Sequence, residues 1–239
     1  MRIGVPPEGG LLLLFAAIIA APAQAAPSDK LVAWAGAQLP DADGLYQRWD
    51  PKRSWATSYV IETLEVVAER VAFELPLADP LLIGDMSRRG GGRLDGHISH
   101  DKGIDVDIGL FMDDGRQPLG GFVDLRPSQL DVKSTWILVR TMLDTGQVQF
   151  ILLDQGLIDR LKSYAINEVG LDRAEAEAIF PPRESKPAWS EKGVVRHAPN
   201  HKSHLHVRLL PPDGVIVRPA DYEAAAAGPS ETPTEPDSY

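Results

Sequence analysis

Between Ser54 and Leu75 apolar residues recur at helical spacing: Val60, Ile61, Leu64, Val67, Ala68 and Val71 fall on one face, and Pro76 ends the run. A short apolar stretch, Leu81 to Gly84, predicts a strand. It leads into Asp85-Met-Ser87-Arg88-Arg89-Gly-Gly-Gly-Arg93, where three consecutive glycines predict a loop. Ile104 to Leu110 alternates apolar and polar residues, as a half-buried strand does. Asp131 to Asp144 reads as a helix capped near Gly146, Val148 to Leu153 as a strand, and Leu157 to Val169 as a second return to helical periodicity. Pro181, Pro182 and Pro187 interrupt the pattern, and His204 to Leu209 alternates again. Helices and strands mix without a regular strand–helix–strand beat. That predicts an α+β fold, a single domain whose central antiparallel sheet is flanked by helices.

The period-two segments place polar residues in pairs. Residues i and i+2 of a strand share a face, so Asp105 and Asp107 point one way, and so do His204 and His206. A charge such as Asp107 in an otherwise apolar strand is costly unless it is paired or bound to a metal. All six histidines fall in two clusters, His97 with His100, and His197, His201, His204 and His206. Imidazole and carboxylate together form the ligand set of a zinc ion with an open coordination position. A hydrogen-bonded polar core, or a surface histidine stretch, would be the alternatives. No His-Glu-x-x-His helix is present, and the absence of cysteine excludes a thiol nucleophile.

Composition narrows the setting. Arg2, the apolar run Leu11 to Ala21 and the small-residue site Ala23-Gln24-Ala25 predict a cleaved export signal over residues 1–25. The run is shorter than the ~20 apolar residues of a membrane span, so no span is expected in the mature form. Residues 26–222 are then one domain. Residues 223–239, rich in Ala, Pro, Ser, Thr and Glu, are expected to form a disordered tail. The chain has no cysteine, so no disulfide can staple it and no cysteine-linked lipid can anchor it. A net charge of −10 argues against nucleic acid as the partner.

Two stretches carry a resemblance to a known family. Gly-Asp85-Met-Ser87 through Gly-His97-Ile-Ser-His100-Asp-Lys-Gly-Ile-Asp105-Val-Asp107-Ile is one, and His201-x-x-His204-x-His206-Val-Arg-Leu is the other. Together they resemble the penicillin-insensitive murein endopeptidases, within the lysostaphin and D-alanyl-D-alanine peptidase group of zinc metallopeptidases. The resemblance implies a periplasmic zinc endopeptidase acting on peptidoglycan, at the D-alanyl to meso-diaminopimelyl cross-link. It implies His100, Asp107 and His206 as zinc ligands, and His97 as a fourth ligand or a group just behind them. His204 would be the histidine that handles the proton of the attacking water, with His201 also near the site. His197 lies outside the matched pattern and is expected at the surface. The family can bind a second metal through a separate aspartate–histidine pair. Since no histidine lies between Leu110 and Val195, one zinc site is expected here.

Asp105 or Asp85 could take the outer ring proton of a ligand histidine and fix its tautomer. Arg88, Arg89 and Arg93 could clamp a substrate carboxylate or simply solvate a loop, and Trp189 with Glu191 could form a lid or cap a turn. Two other functions suit the same residues: a zinc D,D-dipeptidase or carboxypeptidase on small stem-peptide fragments, and a non-catalytic wall-binding module with a structural zinc.

Overall fold

The structure is a computed structural model that describes residues 31–113, 115–118, 120–180 and 194–217. The export signal, the C-terminal tail and the Trp189–Glu191 segment lie outside the described residues. In chain order the strands and helices are β1 (Leu31–Ala33), β2 (Ala37–Gln38), β3 (Tyr46–Arg48), β4 (Trp55–Ala56), α1 (Ser58–Glu74), β5 (Leu81–Ile83) and β6 (Asp105–Gly109). There follow α2 (Val132–Asp144), β7 (Val148–Leu153), α3 (Gln155–Tyr164), α4 (Arg173–Ile179), β8 (Val195–His197), β9 (His204–Leu209) and β10 (Val215–Val217). The fold is α+β, a single domain built around one six-stranded sheet of order β3-β5-β6-β9-β7-β8.

Only the centre of that sheet is antiparallel: β5–β6, β6–β9 and β9–β7 run against each other. Both outer pairs, β3–β5 and β7–β8, are parallel. The expectation of an antiparallel sheet therefore holds where the metal-ligand types sit and gives way at the edges.

Local sequence accounts for the helices. The Asp131 carboxylate accepts from the Ser134 N–H at 3.0 Å and so caps α2, and Asp154 does the same for α3 through the Gly156 N–H. The predicted helix over Leu157 to Val169 is α3 followed by a π turn over Ala165–Val169, ended by Gly170 in the left-handed region at φ 85°. α4, which apolar periodicity did not reveal, opens on an Asp172–Glu175 capping box.

Alternation along the central strands divides the sheet into two faces. Val106 and Ile108 of β6, Leu205, Val207 and Leu209 of β9, and Ile151 and Leu153 of β7 belong to one hydrophobic core. Val60, Leu64, Val67 and Val71 of α1 belong to it too, with Leu138, Val139 and Met142 of α2. The opposite face carries Asp105 and Asp107 on β6, His204, His206 and Arg208 on β9, and Phe150 on β7. Asp105 pairs in register with Arg208, Asp107 with His206, and Gly109 with His204. β6 was expected to be half-buried, yet all five of its residues are buried. The long loop from Gly84 to Ile104 accounts for this, because its His97 and His100 reach back over the polar face.

Candidate metal centre

Three imidazoles converge on Asp107, each with one ring nitrogen engaged behind it. His100 donates through Nδ1 to the Met86 carbonyl at 2.7 Å, which leaves its Nε2 facing Asp107 Oδ1 at 3.4 Å. His206 turns Nε2 toward Asp105 Oδ1 at 3.0 Å, and its Nδ1 lies 3.0 Å from Asp107 Oδ1 and 3.1 Å from His100 Nε2. His97 bonds through Nε2 to Asp85 Oδ2 at 2.7 Å, with Nδ1 3.8 Å from Asp107 Oδ2. Both Asp105 and Asp85 thus stand behind a histidine.

Those carboxylates are themselves held. Arg208 grips Asp105 in bidentate fashion, Nε to Oδ1 at 2.7 Å and Nη2 to Oδ2 at 3.0 Å. Arg53 pairs with Asp85 at 3.1 Å. Since the inner nitrogen of each ligand histidine is set by what the outer one bonds, this is the support a metal site requires.

The inward atoms fit an ion. His97, His100 and Asp107 offer ligand atoms that all lie within 4.8 Å of one another. His100 Nε2, His206 Nδ1 and Asp107 Oδ1 form a tighter triangle with sides of 3.1, 3.0 and 3.4 Å. Ligands about 2.0–2.1 Å from a tetrahedral zinc stand roughly 3.3–3.4 Å apart, so little movement would be needed.

Electrostatics point the same way. Asp105, Asp107, His100 and His206 are all buried. Burial would raise the Asp107 carboxyl, but hydrogen bonds with His100 and His206 outweigh it and hold the group well below the usual carboxylate range. For His206, burial is outweighed by the hydrogen bonds to Asp105 and Asp107, which push it up to about 9. A proton on His206 Nδ1 therefore occupies the position that a cation would take.

His204 behaves oppositely. Burial pushes it down to about 4, against the pull of Asp107, with Nε2 3.7 Å from Asp107 Oδ1 and Nδ1 3.0 Å from the Ser203 hydroxyl. It stands beside the triangle as a neutral base. His201 is half-buried, its ring 5.1 Å from that of His204 and 5.8 Å from that of His206. Burial lowers it as well, and its Nδ1 donates to the Pro199 carbonyl.

Other expectations fare differently. His197, expected at the surface, is only partly exposed: it closes β8 opposite Leu153, with Nδ1 buried. A strand partner covers what the sequence pattern left exposed. In the glycine loop, Gly90, Gly91 and Gly92 all have φ near +80°, which only glycine tolerates in succession. Arg88 bonds to the Gly91 carbonyl of its own loop, and Arg89 lies over the Trp55 ring. Several groups around the site escaped sequence reasoning. Arg208 was within reach of the period-two rule, two residues beyond His206. Met86, acting through its carbonyl, and the aromatic pair Trp49–Phe122 carried no sequence signal.

The opposite pKa displacements of His204 and His206 have a measurable consequence. Protonated His206 contributes stability that is complete below its ordinary value of 6.5 and is lost as pH rises through about 9. Neutral His204 contributes stability that is complete above 6.5 and is lost as pH falls toward 4. Each displacement is worth on the order of 3 kcal/mol. The metal-free protein is therefore expected to be most stable near pH 6.5, with urea midpoints falling on both sides. Zinc, by replacing the proton on His206, should flatten the alkaline limb. A midpoint rising steadily from pH 5 to 9 without metal would contradict the assignment.

Comparison with known proteins places the chain in a family. A family model described as penicillin-insensitive murein endopeptidase matches residues 32–220. Curated proteins of that name are similar to the chain. The one from Haemophilus influenzae is 30% identical over 197 residues, covering 74% of this chain and 60% of its own length. The one from Klebsiella pneumoniae is 30% identical over 151 residues, 57% of this chain and 47% of its own. The one from Escherichia coli O157:H7 is 31% identical over 137 residues, 55% and 46% respectively. The chain thus spans about half the length of the curated relatives it matches.

Proposed function

The chain belongs to the penicillin-insensitive murein endopeptidase family, and on that premise we propose that it is a periplasmic zinc hydrolase of peptidoglycan cross-links. The bond is the D-alanyl to meso-diaminopimelyl linkage, as the family resemblance implies, and the N-terminal segment directs export. The observation that carries the zinc reading is the tautomer arrangement. Three histidines each spend the outer nitrogen on Met86, Asp85 or Asp105 and turn the inner one toward Asp107. A simple polar core has no need to turn three inner ring nitrogens onto one buried carboxylate at the spacing of metal ligands.

His100 Nε2, His206 Nδ1 and Asp107 would hold the ion and leave one position open, with His97, its Nδ1 3.8 Å from Asp107 Oδ2, as the group just behind them. Zinc bound there acidifies a water toward neutrality and polarises the scissile carbonyl. The protein supplies the rest. Asp85 and Asp105 fix the ligand rings, so the site is organised before substrate arrives. His204, kept neutral by burial, accepts a proton at Nε2 and passes it to the departing amine. Its Nδ1 pairs with the Ser203 hydroxyl at 3.0 Å, which leaves Nε2 as the nitrogen turned toward Asp107. His201, with Nδ1 spent on Pro199, offers Nε2 as an acceptor for a substrate N–H.

Among the described residues no helix is long and apolar enough to cross a membrane. Removal of metal tests the proposal: chelated protein is expected to lose hydrolysis of dimeric muropeptides, and one molar equivalent of zinc should restore it. Full activity after exhaustive chelation would overturn the zinc reading. Recovery that needs two equivalents would overturn the single site.

A further inference from the structure

The least expected feature near the metal centre is an aromatic slot built on His204. The Phe122 ring lies almost parallel to the His204 imidazole, 18° between planes and 5.0 Å between centroids. The Trp49 indole meets the same ring in a T-shaped contact at 5.2 Å and 68°. Trp49 is itself tied to the sheet, its backbone N–H donating to the Ile83 carbonyl at 2.8 Å. Phe122 comes from a loop with no regular structure, anchored two strands away by the Leu125 N–H on the Lys202 carbonyl at 2.9 Å. That bond links the Phe122 loop to the segment that carries His201 and His204.

Two glycines make the slot. A Cβ on Gly84 would overlap the Phe122 ring, so the ring can lie against the backbone only because residue 84 has no side chain. Gly84 in turn bonds to the Asp107 carbonyl through its N–H at 2.8 Å, which places the floor of the slot next to the metal centre. Gly121 has φ +136°, a backbone that side chains rarely adopt, and a Cβ there would come 2.9 Å from the Trp49 ring. A phenyl ring is thus delivered onto His204 by a loop whose course depends on glycine at two points.

His204 needs such help. Among the described residues its side-chain hydrogen bond is to the hydroxyl of its neighbour Ser203, whereas His97, His100 and His206 each have a carboxylate or carbonyl behind them. We infer that Phe122 is a positioning residue: stacked on His204 and backed by Trp49 over Gly84, it keeps the imidazole turned so that Nε2 faces Asp107 and the metal centre. This rests on the proposed role of His204 in proton transfer. Among the described residues the ring contacts of Phe122 are with His204 and Trp49, so its expected effect is on the orientation of His204.

The test compares F122L, F122Y and wild type on a purified dimeric muropeptide with one equivalent of zinc, alongside NMR of the histidine ring protons. F122L is expected to lose about 10- to 100-fold in kcat, the scale of a misplaced catalytic group, with KM within about twofold and zinc stoichiometry unchanged. F122Y, which restores the ring, should recover most of the loss. The ring-current shift of the His204 protons should vanish in F122L and persist in F122Y. G84A supplies a second variant should F122L fail to fold, because it evicts the ring from its slot while leaving it in the chain. It is expected to show the same kcat loss and the same NMR change. Unchanged kcat in F122L, or a loss confined to KM, would overturn the inference. Ring protons unmoved by the loss of Phe122 would overturn it on structural grounds alone. A wild-type protein that cuts no muropeptide would count against the peptidase reading, with the NMR comparison still deciding whether Phe122 orients His204.

Discussion

Asp107→Asn is expected to abolish hydrolysis, with kcat/KM falling by at least about 10³-fold, and to bind zinc far more weakly than wild type. The amide keeps the size of the carboxylate but not its charge, and Asp107 is the group on which His97, His100, His204 and His206 all converge. Metal-ion catalysis supplies several kcal/mol of transition-state charge stabilisation, and each 1.36 kcal/mol is tenfold in rate. The folded state should survive. Protonated His206 loses its pairing with Asp107 but retains Asp105, which Arg208 continues to hold. Zinc content by mass spectrometry, read beside activity and melting temperature, checks all three statements. A folded variant with normal zinc content and normal activity would remove Asp107 from the site.

His204→Ala separates proton transfer from metal binding. His204 is the one imidazole of β9 that lies beside the ligand triangle without closing it, and burial keeps it neutral. Its removal is expected to lower kcat by roughly 10²- to 10⁴-fold, the usual range for a lost general acid–base group. Zinc affinity should remain close to wild type, because His100, Asp107 and His206 keep their supports. The paired outcomes are diagnostic: Asp107→Asn loses metal and activity together, whereas His204→Ala loses activity alone. Loss of zinc from His204→Ala would make it a ligand and require a different proton carrier.

The heart of this site was legible because strands impose period two. Once Ile104–Leu110 and His204–Leu209 are read as strands, Asp105 with Asp107 and His204 with His206 must each share a face. The antiparallel pairing of β6 with β9 then sets Asp107 directly opposite His206. His97 and His100 were legible only by proximity and resemblance, since their loop has no periodicity. Their approach depends on contacts such as the Met86 carbonyl, which leave no trace in side-chain identity. The parallel edge strands escaped for a related reason: β3 and β8 are three residues long, and their direction is decided by tertiary partners rather than local pattern. Complete burial of β6 was missed because the covering comes from a distant loop. Phe122 and Gly84 were invisible for the same cause, being ordinary residues whose significance lies in a contact across the fold.

The most direct single measurement is digestion of purified cross-linked peptidoglycan by the zinc-loaded protein, with His204→Ala in parallel and products resolved by chromatography. Dimeric muropeptides should disappear into monomers with wild type and persist with His204→Ala. Dimers left intact by a wild-type protein carrying one tightly held zinc would contradict the endopeptidase assignment, and dimers cleaved equally by both proteins would contradict the role of His204.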